Sequence, residues 1–164
     1  MSEVLSVAQR GEDILRLVAS PVSEDELSSR WLKAFVEALH ATMLARQGVG
    51  IAAPQVYISK RIIIVASRPN LRYPDAPFME PTIMINPEIL SYSSETILGE
   101  EGCLSVQGER AAVSRADRIR VRYLNLEAEL VENEYSGFVA RIIQHEVDHL
   151  NGILFVDRVE GTVS

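Results

Sequence analysis

Apolar and polar positions follow two different periods along this chain, and the change from one to the other marks out its elements. Leu27, Trp31, Phe35, Ala38 and Leu39 recur at helical spacing, so a long amphipathic helix is predicted to about Arg46. Ser23-Glu24-Asp25-Glu26 reads as its capping box, and Gln47-Gly48 as its end. The segment before it, closed by Pro21, reads as irregular. Arg61 to Ser67 is a short apolar run of the length of a buried strand. Arg68 to Pro81 holds four of the seven prolines and reads as a long loop. Ile83 to Asn86 gives another strand, and Glu88 to Leu98 a polar-apolar strand leading towards Cys103. Arg118 to Tyr123 alternates strictly, as does Leu126 to Val131, with Asn125 at the turn: a hairpin exposed on one face. A last helix runs from Gly137 to about Leu150, capped by Ser136 and stopped by Asn151-Gly152.

Strands followed by a helix, without strand-helix alternation, predict an α+β fold. Mostly antiparallel sheets wrap around the C-terminal helix, with the long N-terminal helix packed outside. At 164 residues, one domain spanning 1–164 is expected. Its 47% hydrophobic and 24% charged residues are ordinary for a globular chain. A formal charge of −7 argues against general nucleic-acid binding. The single cysteine rules out an internal disulfide and fits a reducing compartment. Met1 to Pro21 lacks the apolar core of a secretory signal, and the longest apolar run, Ile62 to Ala66, is far too short to span a membrane. A cytoplasmic protein without membrane contact is expected.

The chemistry begins with His145-Glu146-Val147-Asp148-His149, the pattern His-Glu-x-x-His. On a helix, two histidines four residues apart share a face and can grip one metal ion, while Glu146 projects about 100° round the turn. Phe138, Ile142, His145 and His149 form one stripe, so the pair points into the fold. His40, alone on its helix, reads as a surface or packing residue. A lone cysteine is ordinarily a small buried hydrophobe. Cys103 is nonetheless the best third ligand, because no histidine follows the pair. Two neutral imidazoles and a thiolate give a divalent site of net charge +1; for zinc, bonds of about 2.0–2.1 Å to nitrogen and about 2.3 Å to sulfur are expected. Water in an open fourth position would have its pKa lowered from about 15.7 towards about 7. Glu146 can then serve as general base and later acid. Gln55, beside Gly48-Val49-Gly50, can donate its amide to an oxyanion, as can the backbone N–H at Leu104; as a strand-end polar residue Gln55 has an equally good structural explanation. Asp148, on the opposite flank from Glu146, reads as a supporting group paired to an arginine such as Arg115.

Three blocks in this order, Gly48-Val-Gly-Ile-Ala-Ala-Pro-Gln55, Glu101-Gly-Cys-Leu-Ser105 and Gln144-His-Glu-Val-Asp-His-Leu150, resemble those of peptide deformylase. The likeness extends from about Gly11 to Arg158. It implies a hydrolase that removes the N-formyl group from N-formyl-methionyl peptides emerging from the ribosome. It further implies that Cys103, His145 and His149 bind a divalent metal, typically ferrous iron in the cell, with nickel, cobalt or zinc as substitutes. Glu146 becomes the acid/base, and Gln55 with the Leu104 N–H polarises the formyl oxygen. Backbone around Val49, Gly50 and Gly102 pairs with the peptide, and Phe138 lines the methionine pocket. Arg141 joins that wall through its stem or, equally, forms a surface ion pair. Gln107 departs from the proline of many relatives, and the chain ends soon after Arg158, without the C-terminal helix of some members, so a ribosome contact through such a helix is not expected. Two other readings compete. An ordinary zinc endopeptidase would need a ligand after His149, where Glu160 is poorly placed; a structural metal site would need a fourth protein ligand.

Overall fold

The structure, a computed structural model, describes residues 3–71 and 73–159. Its elements run α1 (Glu24–Leu27), α2 (Arg30–Ala45), β1 (Gly50–Ala52), β2 (Ile62–Ser67), β3 (Met79–Tyr92), β4 (Thr96–Cys103), β5 (Val106–Ala116), β6 (Arg118–Leu124), β7 (Leu130–Ser136) and α3 (Gly137–Leu150). Strands β1-β2-β3-β6-β7 make a five-stranded sheet in that order, and β4 and β5 pair separately as a hairpin. All these strand pairings are antiparallel. The α+β reading therefore holds.

The five-stranded sheet is covered on both faces, which explains the unbroken apolar run of β2. Alternate side chains of a strand point to opposite faces. Ile62 and Ile64 join the α2 residues Leu32, Phe35, Val36, Leu39 and Met43 in one cluster. Ile63 and Val65 join Ile142, Ile143, Val147 and Leu150 of α3 in another. Strand β6 shows the alternating version: Ile119, Val121 and Tyr123 belong to the α3 cluster, while Arg118 and Arg120 are exposed. Arg120 there pairs with Glu132 of β7 at 2.7 Å.

Several boundaries differ from the sequence pattern. The long N-terminal helix is two helices. The capping box at Ser23 and Glu26 is formed in both directions, but it opens only the single turn α1. Ser29 then accepts from the Leu32 N–H and opens α2. Two serines in a row favour a second cap over helix continuation. Asn86-Pro87 looks like a strand end, yet β3 runs through it with shifted register. Asn86 has φ +52°, and its side-chain amide pairs both backbone polar groups of Val22. The expected strand 88–98 is split at Ser93, which turns the chain from β3 into β4. Strand β7 begins at Leu130 and not at Leu126, because Asn125 and Glu129 close a turn with Ala128 at φ +59°. Strand β5 has no counterpart in the sequence reading. It is mostly polar outside Val106, Val113 and Ala116 and pairs with a single partner strand.

Candidate metal centre

Four pieces of chain converge on one cleft: the glycine turn with β1 and the turn after it, the loop between β2 and β3 at Tyr73, the end of β4, and α3 from Phe138 to Glu146. Its lining includes Gly48, Val49, Gly50, Gln55, Tyr73, Glu101, Gly102, Cys103, Leu104, Phe138, Arg141, Ile142, His145 and Glu146. Among the described residues, strands β1 and β4 each have only one strand partner, so two free strand edges flank it. Gly50 sits hard against α3, where a Cβ would lie 2.6 Å from Glu146 Oε2 and 2.9 Å from Ile142 Cγ2.

Cys103 of β4 and His145 and His149 of α3 are buried, with their ligating atoms all within 4.8 Å of one another. The Cys103 Sγ to His149 Nε2 distance is 3.3 Å. Sulfur and two imidazoles at this spacing, one helical turn separating the two rings, form a donor set that fits a single borderline-soft divalent cation. His145 turns Nδ1 to Glu101 Oε1 at 2.9 Å, which leaves its Nε2 free for the cluster. Among the described residues these three are the group able to hold a metal. Glu160, which the endopeptidase reading would require, lies outside the described residues.

Gln55 sits in the short turn Ala53–Val56 after β1. Its Oε1 accepts from the Ala52 N–H at 2.9 Å. Its amide nitrogen is thereby aimed at Ser105 Oγ, 3.0 Å away, and at Cys103 Sγ, 3.6 Å away. Leu104 is buried beside it and lines the cleft. Val49 is half-buried, and its carbonyl accepts from the Ala66 N–H. Gly102 donates its N–H to the Tyr73 hydroxyl at 3.2 Å. Phe138 packs against the Tyr73 ring at 4.8 Å between centroids.

A buried ionic network supports the histidine side of the cluster. Glu101 accepts two hydrogen bonds from Arg115, both at 2.9 Å, and one from Arg141 at 2.7 Å, besides its bond to His145. Arg115 also reaches Asp148 Oδ2 at 2.6 Å, and Asp148 is clasped from outside by Arg158. Arg141 donates further to the carbonyls of Ile97 and Val113, so its charged end is an ion-paired strap on the hairpin. Gly99 makes room for it: a Cβ there would lie 2.8 Å from Arg141 Cζ. His40, half-buried on α2, lies outside the cleft lining.

The charges of these groups follow from burial and partners. Burial pushes the Glu146 carboxyl up to about 7, and its Oε1 has no hydrogen-bond partner among the described residues. Burial alone would raise Glu101 as well, but Arg115 and His145 hold it well below the usual carboxylate range. His149 is pushed well below its ordinary value by burial and by the neighbouring His145 and Arg115 charges. For His145 burial acts downward, yet its bonds to Cys103 and Glu101 raise it well above its ordinary value.

Sequence reasoning found the ligand cluster but gave no role to Glu101, Ser105 or Tyr73. For Glu101 the only signal was a carboxylate two residues before the sole cysteine. Tyr73 lies in the proline-rich loop, where nothing in the pattern points to the cleft.

The family model for polypeptide deformylase matches residues 4–163. Peptide deformylase 2 of Nostoc sp. is 48% identical over 162 residues, covering 99% of this chain and 89% of that one. Peptide deformylase 2 of Shewanella oneidensis is 47% identical over 156 residues, covering 94% of this chain and 83% of that one. A crystal structure of the class I type b peptide deformylase of Acinetobacter baumannii with Met-Ala-Ser bound superposes with TM-score 0.95 and 67% identity, over 97% of this chain and 100% of that one. The same enzyme with actinonin bound gives TM-score 0.90 and 62% identity, over 97% and 100%. The peptide deformylase of Thermotoga maritima gives 0.85 and 39%, over 96% and 99%. A match running nearly end to end in both sequence and fold, on a chain that gathers a thiol and two imidazoles in one cleft, settles its kinship: it belongs to the polypeptide deformylase family of metal-dependent hydrolases.

Proposed function

We propose that residues 1–164 form one catalytic domain that removes the N-formyl group from formyl-methionine at the start of nascent polypeptides, releasing formate. The observation that carries this reading is the meeting of Cys103 with His145 and His149 in a cleft bordered by two free strand edges. The Met-Ala-Ser bound to the Acinetobacter enzyme is the kind of peptide such a reaction leaves behind.

Cys103, His145 and His149 would hold one divalent cation, ferrous iron in the cell and nickel, cobalt or zinc as substitutes. Bound there, such an ion supplies Lewis acidity and makes water nucleophilic at neutral pH. Glu146 borders the same cleft and carries an oxygen unpartnered among the described residues. Its carboxylate takes a proton from the attacking water and returns it to the departing amine nitrogen as the formyl C–N bond breaks. The fixed amide of Gln55 and the Leu104 N–H donate to the formyl oxygen as it gains negative charge. The substrate backbone adds as an extended strand between the β1 edge at Val49 and Gly50 and the β4 edge at Gly102. Phe138, with the Arg141 stem beside it, walls the methionine side-chain pocket. The setting is the cytoplasm, with transient encounters at the ribosome where formylated chains emerge.

The test is formate release from formyl-Met-Ala-Ser by protein purified anaerobically. Stoichiometric formate with turnover that falls on exposure to air and returns with nickel is the expected result. Cleavage of internal peptide bonds with the formyl group left in place would refute the reading.

A further inference from the structure

The Gly102 N–H lies on the free edge of β4, where an added peptide strand needs a donor for its carbonyl. That donor is already engaged. The Tyr73 hydroxyl accepts it at 3.2 Å, standing where a peptide carbonyl oxygen would stand. The Tyr73 ring is held from two sides, by Phe138 at 4.8 Å between centroids and by Arg110, whose Cζ lies 4.8 Å from the ring centroid. Arg110 is itself tied to Glu100 at 2.7 Å. The backbone beneath is fastened independently of the side chain. Tyr73 N–H donates to Asn70 Oδ1, and its carbonyl accepts from the N–H groups of Asn70 and Ala76. The side chain can thus swing while the turn stays in place. A second cleft lies alongside, lined by Tyr73, Pro74, Gly99, Arg110, Phe138 and Arg141, so the ring stands between two open spaces.

We propose that Tyr73 is a substrate-gating residue: its hydroxyl occupies the Gly102 N–H in the free protein, and the incoming peptide carbonyl displaces it as the ring shifts towards the second cleft, where it still lines the pocket wall. This rests on the reading of β4 as the peptide-binding edge. A buried or half-buried donor left without an acceptor is costly, so a surrogate acceptor keeps the empty edge satisfied. The same bond must be broken for each peptide bound, so it weakens binding by the modest net worth of one hydrogen bond, about two- to ten-fold.

Two variants separate the hydroxyl from the ring. In metal-loaded Tyr73→Phe, the Gly102 amide should exchange faster than in wild type, Met-Ala-Ser should bind about two- to ten-fold more tightly, and KM for formyl-Met-Ala-Ser should fall while kcat stays near wild type. Tyr73→Ala removes the wall as well and should bind Met-Ala-Ser more weakly than wild type. Met-Ala-Ser should slow Gly102 exchange in all three proteins. Unchanged Gly102 exchange and unchanged affinity in Tyr73→Phe overturn the proposal, as does weaker binding by that variant. Gly102 exchange is read without turnover. Absence of formate release by wild type would sink the deformylase reading, while the exchange measurement would still report on the Tyr73 contact.

Discussion

Glu146 is buried with one carboxylate oxygen unpartnered among the described residues, a state that costs free energy unless something else needs that oxygen. Gly50 keeps the space in front of it open, since any Cβ there would crowd the other oxygen. A proton acceptor for water meets both observations. Glu146→Gln preserves shape and removes the basic carboxylate, so kcat for deformylation should fall by about 10²–10⁴ while metal content stays at one ion per chain. Turnover at the wild-type rate with metal retained would remove Glu146 from the proton transfer. The position and spacing of Glu146 were legible because a local helical repeat fixes them. Glu101 was not, because its four hydrogen bonds come from Arg115, Arg141 and His145, residues distant in the chain. Nor was Arg141 resolvable between pocket wall and surface ion pair, and the pair it makes is buried. It lines the cleft and pairs with Glu101, and the glycine that makes this possible is far away in sequence at position 99.

At the scale of elements, the issue is how the β4–β5 hairpin is held against α3. The hairpin makes no ladder with the five-stranded sheet. It delivers Cys103, whereas α3 delivers both histidines, so the joint between them sets the ligand geometry. Polar contacts cross that joint: Arg115 reaches Asp148, Arg141 and His145 reach Glu101, and the Gln144 amide bonds both backbone groups of Ala116. Both charges of a buried pair are taken out of water, and deleting one partner strands the other. Arg115→Met should therefore lower unfolding stability by about 3–5 kcal/mol in urea denaturation, and a chelator should strip its metal at lower concentration than from wild type. Equal denaturation midpoints and equal chelator sensitivity would show that Arg115 does not seat the hairpin. The elements themselves were readable in proportion to how much they bury. Strand β2 and helix α3 announce themselves by an unbroken run and a stripe. Strand β5 escapes because its exposed residues are held by pairing with β4, not by a pattern of its own. The break before α2 escapes because propensity over 16 helical residues outweighs two serines whose capping bond is seen only in three dimensions.

Across the whole molecule, a doubly covered sheet holds α3 rigidly from one side, and the hairpin closes over it from the other. The result brings together a sulfur and an imidazole 46 residues apart in the chain, with strand edges unpaired among the described residues on either side. The fold class was legible from the order of strand and helix patterns. The cleft was legible only as a set of separate blocks, because no local pattern encodes which strand edges remain unpaired. The proposed chemistry requires one cation held jointly by Cys103, His145 and His149. X-ray absorption at the metal edge of the zinc-loaded protein tests it directly. The spectrum should contain one sulfur at about 2.3 Å and nitrogen scattering from two imidazoles at about 2.0–2.1 Å, with the remaining position filled by water, and the sulfur should vanish in Cys103→Ala. A first shell without sulfur, or one closed by a fourth protein side chain, would contradict the account.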